Sequence, residues 1–225
     1  MKNKNIYDFL TYVKKSKLIV KMIAKDYYFC TMKRIAIFAS GNGTNAQQII
    51  EYFYGSHQVS IGLILSNNPK AYVLERARKA NIPTVCFNRK EFYESNFILD
   101  ILTVQGIGFI VLAGFLWLIP EYLLDAYTGN IINIHPALLP KYGGKGMYGM
   151  RVHETVIQSG DKESGITIHY VNEKYDEGQI IFQAKCRVEA DDTPESLAEK
   201  IHILEHLNYP RVIESVILDK EKISN

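Results

Sequence analysis

Asn133-Ile-His135 closes an apolar run and Pro136 follows at once. Side chains two apart on a strand point to the same side, so an amide and an imidazole are presented together where the strand stops. An imidazole exchanges protons near neutral pH, and an amide N–H donates to an oxygen that is gaining negative charge. The pair suits acyl transfer by direct attack, without a covalent enzyme intermediate. No serine lies in a G-x-S-x-G turn and no cysteine adjoins the histidine, so the chain offers no evident nucleophile of its own. A carboxylate to orient His135 and stabilise its charged form is available in Asp176-Glu-Gly178, although that stretch taken alone reads as a solvated turn.

A second group of residues points to an anion. Ser40-Gly-Asn-Gly-Thr-Asn45 lies between a strand-like and a helix-like segment, where free backbone N–H groups and the helix dipole favour a phosphate. With Ala46 the stretch matches G-x-G-x-x-A, but the acidic residue that holds a ribose in dinucleotide sites is missing, since no Asp or Glu occurs between Tyr52 and Leu74. No G-K-[ST] follows either, which excludes a nucleoside-triphosphate P-loop. The plainer alternative is that Gly41 and Gly43 only permit a tight turn.

These residues need elements to hold them. Short β-branched runs at 34–39, 59–65, 83–87, 108–112 and 130–134 alternate with helix-like windows at 44–54, 71–80, 92–104 and 120–126. A helix at 152–159 comes next, then two strands at 165–171 and 179–188 joined by the turn-like segment around Asp176. Thr193 caps a last helix, with Pro194 at its first position and the apolar stripe running over 196–217. The order predicts a doubly wound, mostly parallel α/β sheet of Rossmann-like type, with an antiparallel addition near the C-terminus. Ligands in such sheets bind beyond the carboxyl ends of the strands, where Asn133 and His135 stand.

Composition narrows the function classes. A chain of 225 residues, 47% apolar and 22% charged, can bury one core, and a net charge of +2 gives no reason to expect a nucleic-acid partner. Three scattered cysteines without ligand spacing indicate neither disulfides nor a metal, and a reducing cytoplasmic setting fits. The apolar run 109–119 is too short for a membrane span, which takes about 20 residues. Residues 1–31 form a basic extension, helical or poorly ordered, in which seven lysines face Asp8 and Asp26; residues 32–225 form the functional domain.

The separated motifs Ala39–Asn45, Leu74–Arg78, Val111–Phe115, Asn133–Tyr142, Asp176–Gly178, Glu205-His206 and Tyr209-Pro210 together resemble the phosphoribosylglycinamide formyltransferase family, from about Lys33 to Ile217. The resemblance implies transfer of a formyl group from 10-formyltetrahydrofolate to the amine of glycinamide ribonucleotide, in purine biosynthesis, with no metal and with a monomeric or homodimeric protein. It implies that Asn133, His135 and Asp176 are catalytic, and that Gly43, Thr44, Asn45, Ala46 and Gln47 take the phosphate, with Glu205 on the amine or ribose. It places the folate along Leu116, Trp117, Leu118 and Ile119 and against Asn133, Asn172, Glu173, Lys174, Tyr175 and Asp176. Leu116-Trp117 departs from the Met-Arg of many relatives, and Ser95 stands where some carry a folate-binding Arg, so the folate tail is held differently here. Gly143–Gly149 is a candidate lid, and His153 is either a further polar contact or a helix-surface residue. Two other readings are a formyltetrahydrofolate hydrolase with water as acceptor and a non-catalytic folate or nucleotide binder; a formyltransferase acting on initiator tRNA would need an added RNA-binding module.

Overall fold

The computed structural model describes residues 32–223, with side chains through Leu218. The basic extension assigned to residues 1–31 lies outside the described residues. Seven strands form one sheet: β1 (Lys33–Phe38), β2 (Val59–Ser66), β3 (Thr84–Cys86), β4 (Phe109–Leu112), β5 (Ile131–His135), β6 (Glu163–Tyr170) and β7 (Ile180–Arg187). Their spatial order is β3-β2-β1-β4-β5-β6-β7. The first five are parallel, while β6 pairs antiparallel with β5 and with β7. The doubly wound sheet with its antiparallel addition is therefore the observed architecture.

Seven helices cover the sheet in the described region: α1 (Thr44–Tyr52), α2 (Tyr72–Lys79), α3 (Arg89–Tyr93), α4 (Phe97–Val104), α5 (Glu121–Ala126), α6 (Met150–Ser159) and α7 (Pro194–Ile223). Alternate strand residues feed two cores, as the two-residue repeat of a strand requires. Ile35 and Ile37 of β1 join Ile49, Val73, Val156, Leu197 and Ile213 under α1, α2, α6 and α7. Ala36 and Phe38 face the other way, onto Phe92, Ile98, Leu102 and Leu123 under α3, α4 and α5.

The single helix expected over 92–104 is two. Asn88 and Glu91 form a reciprocal capping box that starts α3 earlier, at Arg89. The Ser95 hydroxyl then donates to the Glu91 carbonyl and accepts from the Phe97 N–H, which closes one helix and opens the next. Thr193 does cap α7: its hydroxyl accepts from the Ser196 N–H while the Ser196 hydroxyl accepts from the Thr193 N–H.

Strand order reverses direction between β1 and β4, and the crevice at their carboxyl ends is the position where such sheets bind ligands. Tyr209 on α7 braces that end. It is fully buried, and its hydroxyl donates to the Leu112 carbonyl at 2.8 Å at the last residue of β4.

Candidate active site

A cavity of about 700 Å³ fills the crevice. One wall is the turn Ser40–Asn45, the opposite wall is Phe115–Ile119, and Asn133, His135 and Asp176 line the space together with Gly144–Gly149. Gly43 makes the turn possible. It has φ +74°, and a Cβ there would lie 2.5 Å from the Val73 side chain and 3.1 Å from its Cα, so only glycine brings the loop this close to α2. The Ser40 hydroxyl accepts from the Leu116 N–H at 3.1 Å and ties the two walls together.

The three residues brought together are separated by up to 43 positions in the chain. His135 is 4% exposed. Its Nε2 lies 2.8 Å from the Tyr142 carbonyl oxygen, which can only accept, so Nε2 carries the hydrogen and Nδ1 faces Asp176 Oδ2 at 3.5 Å. Desolvation lowers the His135 pKa, outweighing the Asp176 charge and the Tyr142 hydrogen bond that raise it. Burial thus favours the uncharged ring, against the expectation that Asp176 stabilises the charged one. Desolvation pushes Asp176 up, but the His169 ring, the positive charge that His135 carries when protonated and the Gly144 N–H together hold its carboxyl below the ordinary value. Gly144 N–H donates to Asp176 Oδ2 at 2.9 Å, and Asp176 itself sits in the left-handed region at φ +57°.

His169 is the residue that sequence reasoning missed. It stands opposite Asn133 in the β5–β6 register and is 2% exposed. Its Nδ1 donates to the Tyr170 carbonyl at 2.8 Å, so Nε2 in the uncharged ring accepts from the Asn133 amide at 3.2 Å. That fixes which end of the Asn133 amide is nitrogen and leaves its second N–H for the cavity. The 3.6 Å separation from His169 Nε2 to Asp176 Oδ1 is outside hydrogen-bond range and becomes an ion pair only when the ring carries both protons. The only signal in the sequence was a histidine inside a predicted strand, and cross-strand register is not legible from the chain itself.

The expected phosphate cradle is partly corrected. Gly43, Thr44 and Asn45 line the cavity, but Ala46 is fully buried in the core, and Gln47 lies outside the lining. The Gln47 N–H is spent on the Gly43 carbonyl and its side chain on Glu51 and Arg76, because one helical step turns it away from the loop. Of the residues assigned to the folate, Leu116, Trp117, Leu118, Ile119, Lys174, Tyr175 and Asp176 line the cavity, whereas Asn172 and Glu173 are exposed and do not. Asn172 instead caps its own turn, its Oδ1 accepting from the Lys174 N–H. His153 is no helix-surface residue: it is 3% exposed, lines the cavity, and burial lowers its pKa to about 4.

Glu205 is 6% exposed and accepts from Asn45 Nδ2 at 2.9 Å, and burial raises its pKa to about 7. Asn45 Oδ1 is buried without a hydrogen-bond partner, next to the cavity that Asn45 and Glu205 line. The unfolded carboxyl ionises near 4.5 and the folded one near 7. Between these values the folded state holds a proton that the unfolded state has lost, so stability falls as pH rises and the loss is complete above 7. Glu205→Gln is therefore expected to be more stable than the parent at pH 8, by roughly 1–3 kcal/mol, with the gain vanishing at pH 4. Urea unfolding at the two pH values measures this, and coincident curves at pH 8 would rule out a buried charge at this position.

Among the described residues no group of three or more His, Cys, Asp or Glu is placed to hold a metal ion, and no helix is long and apolar enough to cross a membrane.

The sequence profile of the formyl transferase family matches residues 33–213. The chain belongs to the formyl transferase family. It is 41% identical over 196 residues to the chloroplastic phosphoribosylglycinamide formyltransferase of Arabidopsis thaliana, covering 84% of this chain and 67% of that one. To phosphoribosylglycinamide formyltransferase of Bacillus subtilis (strain 168) it is 38% identical over 191 residues, covering 83% and 95%. Among solved structures, phosphoribosylglycinamide formyltransferase from Anaplasma phagocytophilum superimposes with a TM-score of 0.76 at 35% identity, over 84% of this chain and 89% of that one.

Proposed function

We propose that this family member transfers the formyl group of 10-formyltetrahydrofolate to the amine of glycinamide ribonucleotide, a step of purine biosynthesis carried out in the cytoplasm, and that residues 32–225 suffice for it. The observation that carries this reading is the gathering of Asn133, His135 and Asp176 in one cavity with the glycine turn and the apolar stretch 115–119. Gly43, Thr44 and Asn45 receive the phosphate on backbone N–H groups at the start of α1. Glu205 and the free Asn45 Oδ1 accept from ribose hydroxyls or the amine. The flat pterin lies along Leu116, Trp117, Leu118 and Ile119, with Lys174 and Tyr175 closing over it.

The amine nitrogen attacks the formyl carbon, and the carbonyl electron pair moves to oxygen. The second N–H of Asn133 donates to that oxygen, held in place by the first N–H on His169. The attacking nitrogen gains positive charge and releases a proton, which His135 Nδ1 takes directly or through one water. The resulting imidazolium stands beside the ionised Asp176, which offsets the cost of a buried charge. As the tetrahedral carbon collapses, the bond to N10 of the folate breaks and His135 returns the proton to that nitrogen. Products are the N-formyl ribonucleotide and tetrahydrofolate, and His135 ends uncharged as it began.

A formyl-transfer assay with glycinamide ribonucleotide and water as competing acceptors tests the reading. Consumption of the donor is expected to depend on the ribonucleotide and to yield the N-formyl product. Donor hydrolysis at the same rate without ribonucleotide would make the chain a hydrolase, and binding of both ligands without turnover would make it a binder.

A further inference from the structure

Two of the catalytic groups are held by one short stretch of loop. The Tyr142 carbonyl accepts from His135 Nε2 at 2.8 Å, and two residues later the Gly144 N–H donates to Asp176 Oδ2 at 2.9 Å. Between them Gly143 is pressed against the same carboxylate: a Cβ there would lie 3.2 Å from Asp176 Cβ and 2.5 Å from the Leu139 side chain. Residues 142–144 therefore work as a clip across the His135–Asp176 pair.

The clip is strained and anchored. Tyr142 has φ +58°, a left-handed conformation that a bulky side chain adopts only when its surroundings impose it. What imposes it is outside the cavity. The Tyr142 hydroxyl donates to Asp161 Oδ2 at 2.8 Å and lies 2.6 Å from Ser159 Oγ at the end of α6. Ser159 Oγ supplies the hydrogen of that contact, and Lys141 Nζ donates to Asp161 Oδ2 at 2.9 Å. Lys141 first and Tyr142 second hold the Asp161 carboxyl below its ordinary pKa, so the anchor is charged at neutral pH.

We infer that Tyr142 is a positioning residue for the transfer: its side chain, fastened to Asp161 and Ser159, turns its own carbonyl onto His135 and thereby decides which ring nitrogen carries the fixed hydrogen. A histidine with both nitrogens free would divide between two tautomers, and only the one with hydrogen on Nε2 leaves Nδ1 open as the base beside Asp176. The link from surface anchor to tautomer rests on the proposed function for its catalytic meaning, but not for its structural content. The charged or titratable groups facing His135 are Asp176 on the turn, His169 on β6 and His153 on α6; the Tyr142 carbonyl is the partner of Nε2, and Asp176 faces Nδ1.

The test uses the full chain and the variants Tyr142→Phe, Asp161→Ala and the double variant. Expected is a fall in kcat on the order of 10-fold in each, as slight misplacement of a catalytic group gives, with KM for both substrates little changed. The double variant should be no worse than either single one, because both remove one anchor. Nitrogen NMR of labelled histidine should show the His135 Nε2–H signal of the parent replaced by a mixture of tautomers, and the acid limb of the kcat–pH profile should move. The spectrum reads the inference even if the assay finds no transfer, so the two can fail separately. A merely structural role would lower the unfolding midpoint and leave the His135 signals and the pH profile of the folded protein unchanged, and that result overturns the inference. Should Tyr142→Phe fail to fold, Asp161→Ala, which removes a half-buried acceptor at the end of the anchor and leaves the Tyr142 ring in place, carries the same readouts.

Discussion

His135→Ala is expected to lower kcat for formyl transfer by roughly 10²-fold or more, the usual contribution of a positioned acid–base group. The argument is geometric. His135 is the one proton acceptor in the cavity whose hydrogen-bonding is already committed on one side, to the Tyr142 carbonyl, and open on the other, toward Asp176. Its uncharged state, favoured by burial, keeps it ready to accept at neutral pH. Asp176 is poorly placed to substitute, since its two oxygens already face the Gly144 N–H and the two histidine rings. Affinity for the ribonucleotide should change little, because Gly43, Thr44, Asn45 and Glu205 are untouched. Steady-state kinetics with both substrates varied gives the split, and a kcat within threefold of the parent would remove His135 from the chemistry.

The second large effect is expected at a residue with no side chain of its own. Gly178→Ala should cost about 3 kcal/mol of stability, at the upper end of what overpacking causes, and should lower kcat as far as removal of the Asp176 carboxylate does. A Cβ on Gly178 would meet the Tyr170 carbonyl oxygen at 1.6 Å, a backbone atom that no rotamer change can move aside. The Tyr170 N–H is bonded to the Gln179 carbonyl, so the end of the β6–β7 hairpin must shift to admit the methyl. Asp176 hangs two residues before this point on a turn already held at positive φ. Chemical denaturation and kcat measured on the folded fraction separate the two losses. Full activity in that fraction would mean that the turn positions Asp176 without help from the hairpin closure.

The sequence carried the frame of this site well and its fine phasing poorly. Asn133 and His135 were legible because they depend on local facts alone: a strand, its end, and the two-residue repeat that aims both side chains one way. The parallel sheet followed from alternation of strands and helices, and the binding crevice from its topology. The missed features all depend on distant partners or on helix phase. His169 faces Asn133 only through the register of the antiparallel β5–β6 pairing, 36 residues apart in the chain. Gln47 was grouped with the phosphate-binding turn, yet with Gly43 as the cap of α1 it falls one step past the free N–H groups and points at Arg76. The early start of α3 was written in Asn88 and Glu91, whose spacing is that of a capping box, but a continuous apolar stripe masked it. The protonation of His135 could not be read at all, because it is decided by burial, and burial is a property of the assembled fold.

The chain contains one tryptophan, and it stands in the wall assigned to the formyl donor, edged by Phe87 and Phe115 and capped by the Arg89 guanidinium 5.2 Å from its ring. All ultraviolet emission of indole origin from this protein therefore comes from a single place in the cavity wall. On the proposed function the molecule holds its own optical gauge, and filling of the half of the cavity proposed for the donor is expected to change that emission in real time without an attached label.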